Sequence, residues 1–299
     1  EADLRGEAHA LGGDLTYRGV VQRAGRLRIV DARIEPFTAE LTADASAGDA
    51  AITEAVLADA SAGADLEARI IDGDLRTFAF TRRSDTVARA HGVRAVGASL
   101  FVIGGEFRAD ASADLVPAEL FASAVRVEDG VRTVIDGYRG RSVSAQRVGG
   151  VAGDASRARV EGLALSGAAI DVIDSRLTFV DDLAVATRAE YAALVLADAS
   201  APYVADNVIE GGHPQGEEPR AHGLVLDGVD DLVLARNRIS GGRAGLGLTD
   251  ASRSAGVLLP ADGAPSTVVA ASNRIFGGDA ESTDDSLALA IAQRNASRT

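Results

Sequence analysis

Three aspartate pairs and three of the four histidines are the residues of this chain whose types could do chemistry. The pairs are Asp181–Asp182, Asp230–Asp231 and Asp284–Asp285. Two carboxylates on opposite sides of a glycosidic bond can cleave it, one as acid and the other as base or nucleophile. Asp230 and Asp231 stand just before the apolar run "LVLARNRI", where aspartate is a routine turn residue. The turn reading is the better one, with Asp230, Asp231 and His222 kept as the catalytic set should the chain be an enzyme. His91 and His222 occupy matching "RAHG" phrases. A histidine can serve as general base or metal ligand, but one that recurs with a repeat points to a rung-forming role, with Gly92 and Gly223 opening a strand. His213 lies in "GGHPQGEEPR" (211–220), read as a solvated loop in which Glu217 and Glu218 could touch a cation. Calcium seeks six to eight oxygens. No EF-hand phrase and no Gly-Gly-x-Gly-x-Asp array is present, so the expectation is no cofactor beyond a weak structural calcium. "GGRAGLGLTD" (241–250) lacks the Gly-Lys-Ser/Thr ending of a phosphate loop, and no Gly-x-Ser-x-Gly elbow occurs.

The elements that must hold these residues are written as repeats. "YVADNVIEGG" (203–212), "VLARNRISGG" (233–242) and "VAASNRIFGG" (269–278) share an apolar run, Asn, any residue, Ile, any residue, Gly-Gly. Asn207, Asn237 and Asn273 fill the shared slot, and only Asn295 lies outside it. An upstream strand signal precedes each: "ALVLADAS", "HGLVLDG" and "AGVLLPADG". One unit reads as short strand, polar turn, short strand, Asn turn, Gly-Gly, loop. "RAHGVRAVGASLFVIGGEF" (89–107) aligns with "RAHGLVLDGVDDLVLARNRI" (220–239), placing Gly105 at the Asn slot. Asn and Gly best tolerate the left-handed backbone region, which predicts a positive φ in that slot. "ADAS" at 43–46, 58–61, 109–112 and 197–200 reads as turn punctuation. "PAELFASA" (117–124) is the one helical signal, a turn or short helix.

Short strands repeating every two to three dozen residues mean a stacked β architecture. A propeller needs four strands per blade, and these units offer two or three. An all-β, right-handed single-stranded parallel β-helix (a β-solenoid) fits better, its hand following from the preference of parallel crossovers. Residues 89–299 are assigned to its repeats, with continuation expected beyond 299. Residues 1–88 are assigned to N-terminal β-rich coils, or a cap, of the same solenoid.

Composition narrows the function. The net charge of −14 argues against a nucleic-acid partner. All 30 basic residues are arginine, and the apolar residues are mostly Ala, Val and Leu, which suits thin layers stacked closely. The absence of cysteine removes disulfides, thiolate metal sites, thiol nucleophiles and thiol-linked lipid. No apolar run approaches a membrane span. The start "EADLRGEAHA", without Met or a signal pattern, reads as a processed or incomplete chain.

"ADASAPYVADNVIEGG" (197–212) is similar to the form Ser-x-Pro-x-Ile-x-x-Asn-x-Ile-x-Gly-Gly. That form recurs in a β-helix domain family of lipoprotein-like bacterial proteins, and the repeats resemble those of bacterial secreted and surface β-helix proteins. The resemblance is clear over roughly 190–280 and fades towards 89. It implies the fold, whose members include polysaccharide lyases, polygalacturonases, tailspikes and adhesins; the Arg-x-Lys phrase of polygalacturonases cannot occur in a chain without lysine. The resulting expectation is a non-catalytic secreted or cell-surface rod for adhesion, matrix or glycan contact, with polysaccharide or another surface protein as partner. A polysaccharide lyase or hydrolase is the alternative, and a trimeric phage-type fibre or tailspike the second.

Overall fold

The structure is a computed structural model that describes residues 3–11, 13–42, 44–114, 118–140, 142–147, 157–178, 183–185, 188–216, 218–247, 252–259, 267–282 and 286–293. It is an all-β parallel solenoid of about seven turns. One rung shows the plan: His213–Gln215 lies in sheet A, Glu218–Asp227 in sheet B, Leu232–Ala235 in sheet C and Arg238–Ser240 in sheet D. Sheet B stacks nine strands, sheet C eight, sheet A seven and sheet D four, all paired in parallel among the described residues. Arg243–Gly247 and Asp279–Ser282 form a separate pair that continues the stack of sheet A, joined by the 3.1 Å bond from Arg243 N to Gly212 O. Asp3–Ala10, Leu15–Gln22 and Gly25–Val30 are the first rungs of sheets A, B and C, so the N-terminal segment stacks in the same three sheets as the rest.

The core follows from identical slots lying above one another. Ile29, Ile70, Val102, Ile135, Val172 and Val204 form one inward column of sheet C, each at most 8% exposed. Burying such a side chain contributes about 1.5–3 kcal/mol relative to exposure. Where two sheets approach closely, the inward residue must be small. Hence Ala39, Ala79, Ala111 and Ala145 stack in sheet A, each at most 1% exposed. The same constraint corrects three local expectations. "PAELFASA" forms strand, from Ala118 onward, because Ala118, Leu120 and Ala122 are buried while Glu119 and Phe121 face out, a period of two. "ADAS" at 109–112 lies inside the strand Glu106–Ala113 rather than in a turn. Gly92 and Gly223 sit within the strands Thr86–Val96 and Glu218–Asp227 rather than opening them. At Gly92 a Cβ would lie 2.6 Å from Ala124 O on the next rung.

The corner between sheets C and D is built by two adjacent columns. Asn237 N and Asn237 Nδ2 both donate to Asn273 Oδ1, at 2.9 and 3.0 Å. Asn207 N and Nδ2 donate to Asn237 Oδ1, at 3.0 Å each. Ser175 N then donates to Asn207 Oδ1 at 2.8 Å, and Tyr138 N to Ser175 Oγ at 3.2 Å. Each Asn Nδ2 also donates to a backbone carbonyl, of Val172, Val204 or Leu234. An amide side chain can supply one acceptor to two donors and still donate inward. Gly105 occupies the same slot on its own rung, since Arg139 N bonds its carbonyl as Arg238 N bonds that of Asn207.

The positive φ expected of this slot holds at Gly105 (86°) but at none of the three asparagines. It belongs to the residue before the slot, from Asp31 through Asp174, Asp206 and Arg236 to Ser272, with φ between 45° and 66°. A single left-handed residue turns the corner, and the asparagine after it is free to point inward. After Gly-Gly the chain enters sheet A directly, at His213, Arg243 and Asp279, and not the variable loop that the repeat suggested.

Candidate functional site

The outer faces of the three long sheets differ sharply in chemistry. On sheet B an alternating ladder runs across five rungs. Arg18 Nε donates to Glu54 at 2.6 Å, and Arg94 bridges Glu54 (3.2 Å) and Glu128 (2.9 Å). Arg126 bridges Glu128 (2.7 Å) and Glu161 (3.2 Å), which also receives Arg159 at 2.6 Å. Burial pushes the Glu128 carboxyl up, but the hydrogen bonds from Arg94 and Arg126 outweigh it and hold the group below its ordinary range. In the same column Glu54, His91, Ser123 and Glu161 occupy successive rungs. His91 Nδ1 lies 2.7 Å from Ser123 Oγ. The two resemble a base and a nucleophile but cannot act as one. Ser123 is fully buried, and burial together with the Arg126 and Arg94 charges holds the imidazole at about 3, far too weakly basic to take a hydroxyl proton near neutrality. This face is an internal salt-bridge seam. On sheet C one outer column runs Arg28, Arg69, Phe101, Val134, Asp171, Tyr203 and Val233, so that apolar side chains alternate with paired charges, Arg69 with Glu67 and Arg132 with Asp171.

Sheet A carries the varied groups. Its register brings Phe78, Asp110 and Ser144 into one outward column, which continues through the backbone position of Leu183 to His213, Arg243 and Asp279. At the C-terminal end, Gly242 and the Gly277–Gly278 pair line a groove of about 630 Å³. Glu210, Ser240 and Phe276 form one wall and His213, Arg243 and Asp279 the other, with Gly242, Gly277 and Gly278 between them. Phe276 is 48% exposed, and the Arg238 guanidinium lies 5.8 Å from its ring centre. A floor of paired glycines lets a ligand approach the backbone, and the walls present carboxylates, an imidazole, a guanidinium and one aromatic face.

The sequence-derived candidates do not assemble with this groove, apart from His213. Asp230 and Asp231 are exposed in the turn between sheets B and C, and Asp231 has φ 51°. His222 is buried midway along Glu218–Asp227, in the column of His91 and Glu161. His213 opens a strand, His213–Gln215, where a loop was expected. Asp181–Asp182, Asp284–Asp285 and Glu217 lie outside the described residues. No group of three or more His, Asp or Glu side chains positioned to hold a metal occurs among the described residues. No helix among them is long and apolar enough to cross a membrane. The groove was missed although its signal is in the repeats. The residues flanking the constant Ile and Gly-Gly are Glu/His, Ser/Arg and Phe/Asp in turn.

Further along the same face, Asp110 is a carboxyl on an outer surface that is nonetheless largely shielded from water. Burial pushes it above its ordinary 3.8, although the 2.5 Å bond from Ser144 Oγ and the Arg108 charge pull the other way. A carboxyl raised in the folded state costs stability as pH climbs past the unfolded value, and the loss persists at neutrality. Asp110→Asn is therefore expected to raise the melting temperature at pH 7 and to match the parent below about pH 3.8. A variant that melts lower at pH 7 would show that the ionised carboxylate is stabilising.

No protein-family model, curated protein or solved structure matches the chain. What the fold defines is a class: an all-β parallel solenoid of about seven turns.

Proposed function

We propose that the chain is a non-catalytic rod that binds glycan through the outer face of sheet A, in an adhesive or matrix-contact role at a bacterial surface or outside the cell. One observation carries the reading. The residues that hold the corner repeat from rung to rung, whereas the groove positions beside them change from Glu210 and His213 to Ser240 and Arg243 to Phe276 and Asp279. The fold holds the corner residues constant and leaves the positions beside them free to carry a carboxylate, an imidazole, a guanidinium and an aromatic ring in one groove. Charged hydrogen-bonding groups beside an exposed aromatic ring suit a hydroxyl-rich chain, whose polar edges and apolar ring faces need both. The bacterial and extracellular placement rests on the resemblance of the repeats.

Isothermal titration with a panel of soluble polysaccharides, uronate polymers included, tests it. At least one polymer is expected to bind. The Arg243→Ala/Phe276→Ala variant should bind that polymer about tenfold more weakly, roughly 1.4 kcal/mol, with an unchanged circular-dichroism spectrum. Ultraviolet absorbance of uronate polymers incubated with the protein, with and without calcium, should stay flat. Binding of none of the panel would sink the glycan reading, and a rising absorbance would make the rod a lyase.

A further inference from the structure

We propose that the outer face of sheet C is a self-complementary interface through which two copies of the chain pair, rod against rod and antiparallel. The inference stands apart from the glycan reading, which uses sheet A.

Six successive strands form the face: Gly25–Val30, Leu66–Ile71, Ser99–Ile103, Arg132–Asp136, Ile170–Ile173 and Tyr203–Ala205. One outward column runs from Arg28 to Tyr203, as described above. The next runs Val30, Ile71, Ile103, Asp136, Ile173 and Ala205. Val30 and Ile103 are 41% and 42% exposed, so large aliphatic side chains meet water on this face. Covering them is favourable. The charges divide by end. Arg28 and Arg69 lie on the first two rungs, Asp136 and Asp171 on the fourth and fifth. With Arg26, Glu67 and Arg132 beside them, the face is close to neutral in a chain of net charge −14. Two copies can meet here without the repulsion that their net charge imposes elsewhere.

A two-fold axis along the strands, between the third and fourth rungs, sets the register. It lays each column against itself with the rung order reversed, and keeps the strands of the two sheets aligned as packed sheets require. Arg69 then meets Asp171 of the second copy, and Arg28 meets the ring of Tyr203. Phe101 meets Val134 at the centre, and Ile71 meets Ile173. The poor contact is Ile103 against Asp136, at the rim, where the carboxylate stays in water. A slip of one rung sets Arg69 against Val134 in one direction and Phe101 against Asp171 in the other.

The pairs within each chain leave capacity for this contact. The Arg69 side chain is 50% exposed and bonds Glu67 through Nε at 2.8 Å, so its terminal nitrogens remain to donate outward. Stacking over Phe101 at 5.0 Å holds the guanidinium above the face. Asp171 accepts from Arg132 at Oδ2, which leaves Oδ1. Pairing joins Glu67, Arg69, Asp171 and Arg132 into one chain of alternating charge, once at each end of the interface. Six rungs at ~4.8 Å and three columns at ~6.8 Å cover roughly 1,200 Å² over both copies, the lower end of what a specific interface needs. A reversible dimer with a micromolar dissociation constant follows.

Sedimentation velocity of the full chain over about 1–200 µM tests it. The weight-average mass should climb from one chain towards two and stop there. Arg69→Asp and Asp171→Arg, each alone, should weaken pairing at least tenfold, because each sets like charges in contact at both ends. An equimolar mixture of these two variants should pair again. In a mixed dimer one contact joins the two substituted positions and the other the two original ones, opposite in charge both times. Val134→Glu, at the centre and away from the ion pairs, should also dissociate the dimer and keeps the test open should a charge variant fail to fold. Circular-dichroism melts establish which variants fold. A chain that stays monomeric at the highest concentration, grows past a dimer, or pairs undiminished in the folded variants overturns the proposal. Charge variants that dissociate singly but do not pair when mixed also overturn it, because Arg69 and Asp171 then do not meet.

Discussion

Replacing Gly242 by alanine is expected to destabilise the solenoid by about 4 kcal/mol, through strain at one residue and overlap with its neighbour. Gly242 has φ 78°, where an L side chain is disfavoured by about 1–2 kcal/mol. Its Cβ would also lie 1.9 Å from Gly211 O on the preceding rung. Carbonyl oxygens of the backbone cannot swing aside as a flexible side chain can, so the two rungs must part and their ladder bonds lengthen. The two causes separate with Gly13→Ala. Gly13 has nearly the same φ, 79°, but nothing within 4 Å of the added carbon. Urea denaturation followed by circular dichroism should show a loss of about 1–2 kcal/mol at Gly13 and at least twice that at Gly242. Equal losses would mean that the corner yields and that close stacking is not what selects glycine there. Because rungs contact mainly their neighbours, the damage should concentrate in the adjoining rungs. Hydrogen exchange should accelerate around residues 204–245 before it does in residues 50–113.

The second large effect is expected at Asn237, which is 2% exposed. Alanine removes the acceptor shared by Asn207 N and Asn207 Nδ2 and the donor to Val204 O. Each buried polar group left unpaired costs about 1–3 kcal/mol, and the three share one relaxing corner, so a net loss of about 3 kcal/mol is expected. Asn237→Ser should recover part of it, because Ser175 already fills this slot on another rung and accepts from Tyr138 N. The specific readout is the Asn207 amide, whose exchange should become fast in the alanine variant and slow again in the serine variant. An Asn207 amide that stays protected in Asn237→Ala would rule out the ladder as its source of protection.

Both predictions concern residues that the repeat phrase itself marks, and the reason is geometric. In a solenoid, equivalent slots meet equivalent neighbours, so whatever a slot requires is written again on the next rung. The asparagines, the following isoleucines and the Gly-Gly pairs were legible on that account. Ile209 and Ile239 are indeed fully buried one above the other. Local propensity was a poorer guide where packing overrode it. Alanine favours helix in isolation, yet in 118–124 it serves as the small inward residue of a strand. "ADAS" at 109–112 holds turn-forming residues, but Ala109 and Ala111 are required inside, so Asp110 and Ser112 are carried onto the outer face. The left-handed position fell one residue before the asparagine, often on an aspartate such as Asp31, Asp72, Asp174 or Asp206. That column recurs too, but Gly, Arg and Ser interrupt it and hide the pattern.

The sequence by itself determined the rung, its parallel stacking and the residues that turn its best-marked corner, because these depend on contacts that repeat at a nearly constant separation. The alignment of residues on the outer face of sheet A was decided only by the tertiary structure. Successive rungs differ in length, with ladder partners separated by 30, 32, 36 and 37 residues. Only the stacked strands absorb those differences and bring Phe78, Asp110 and Ser144 into line with His213, Arg243 and Asp279. No motif spans positions so far apart in the chain. Their alignment comes from hydrogen bonding between rungs, which sets which residues share a column whatever the length of the connections between them.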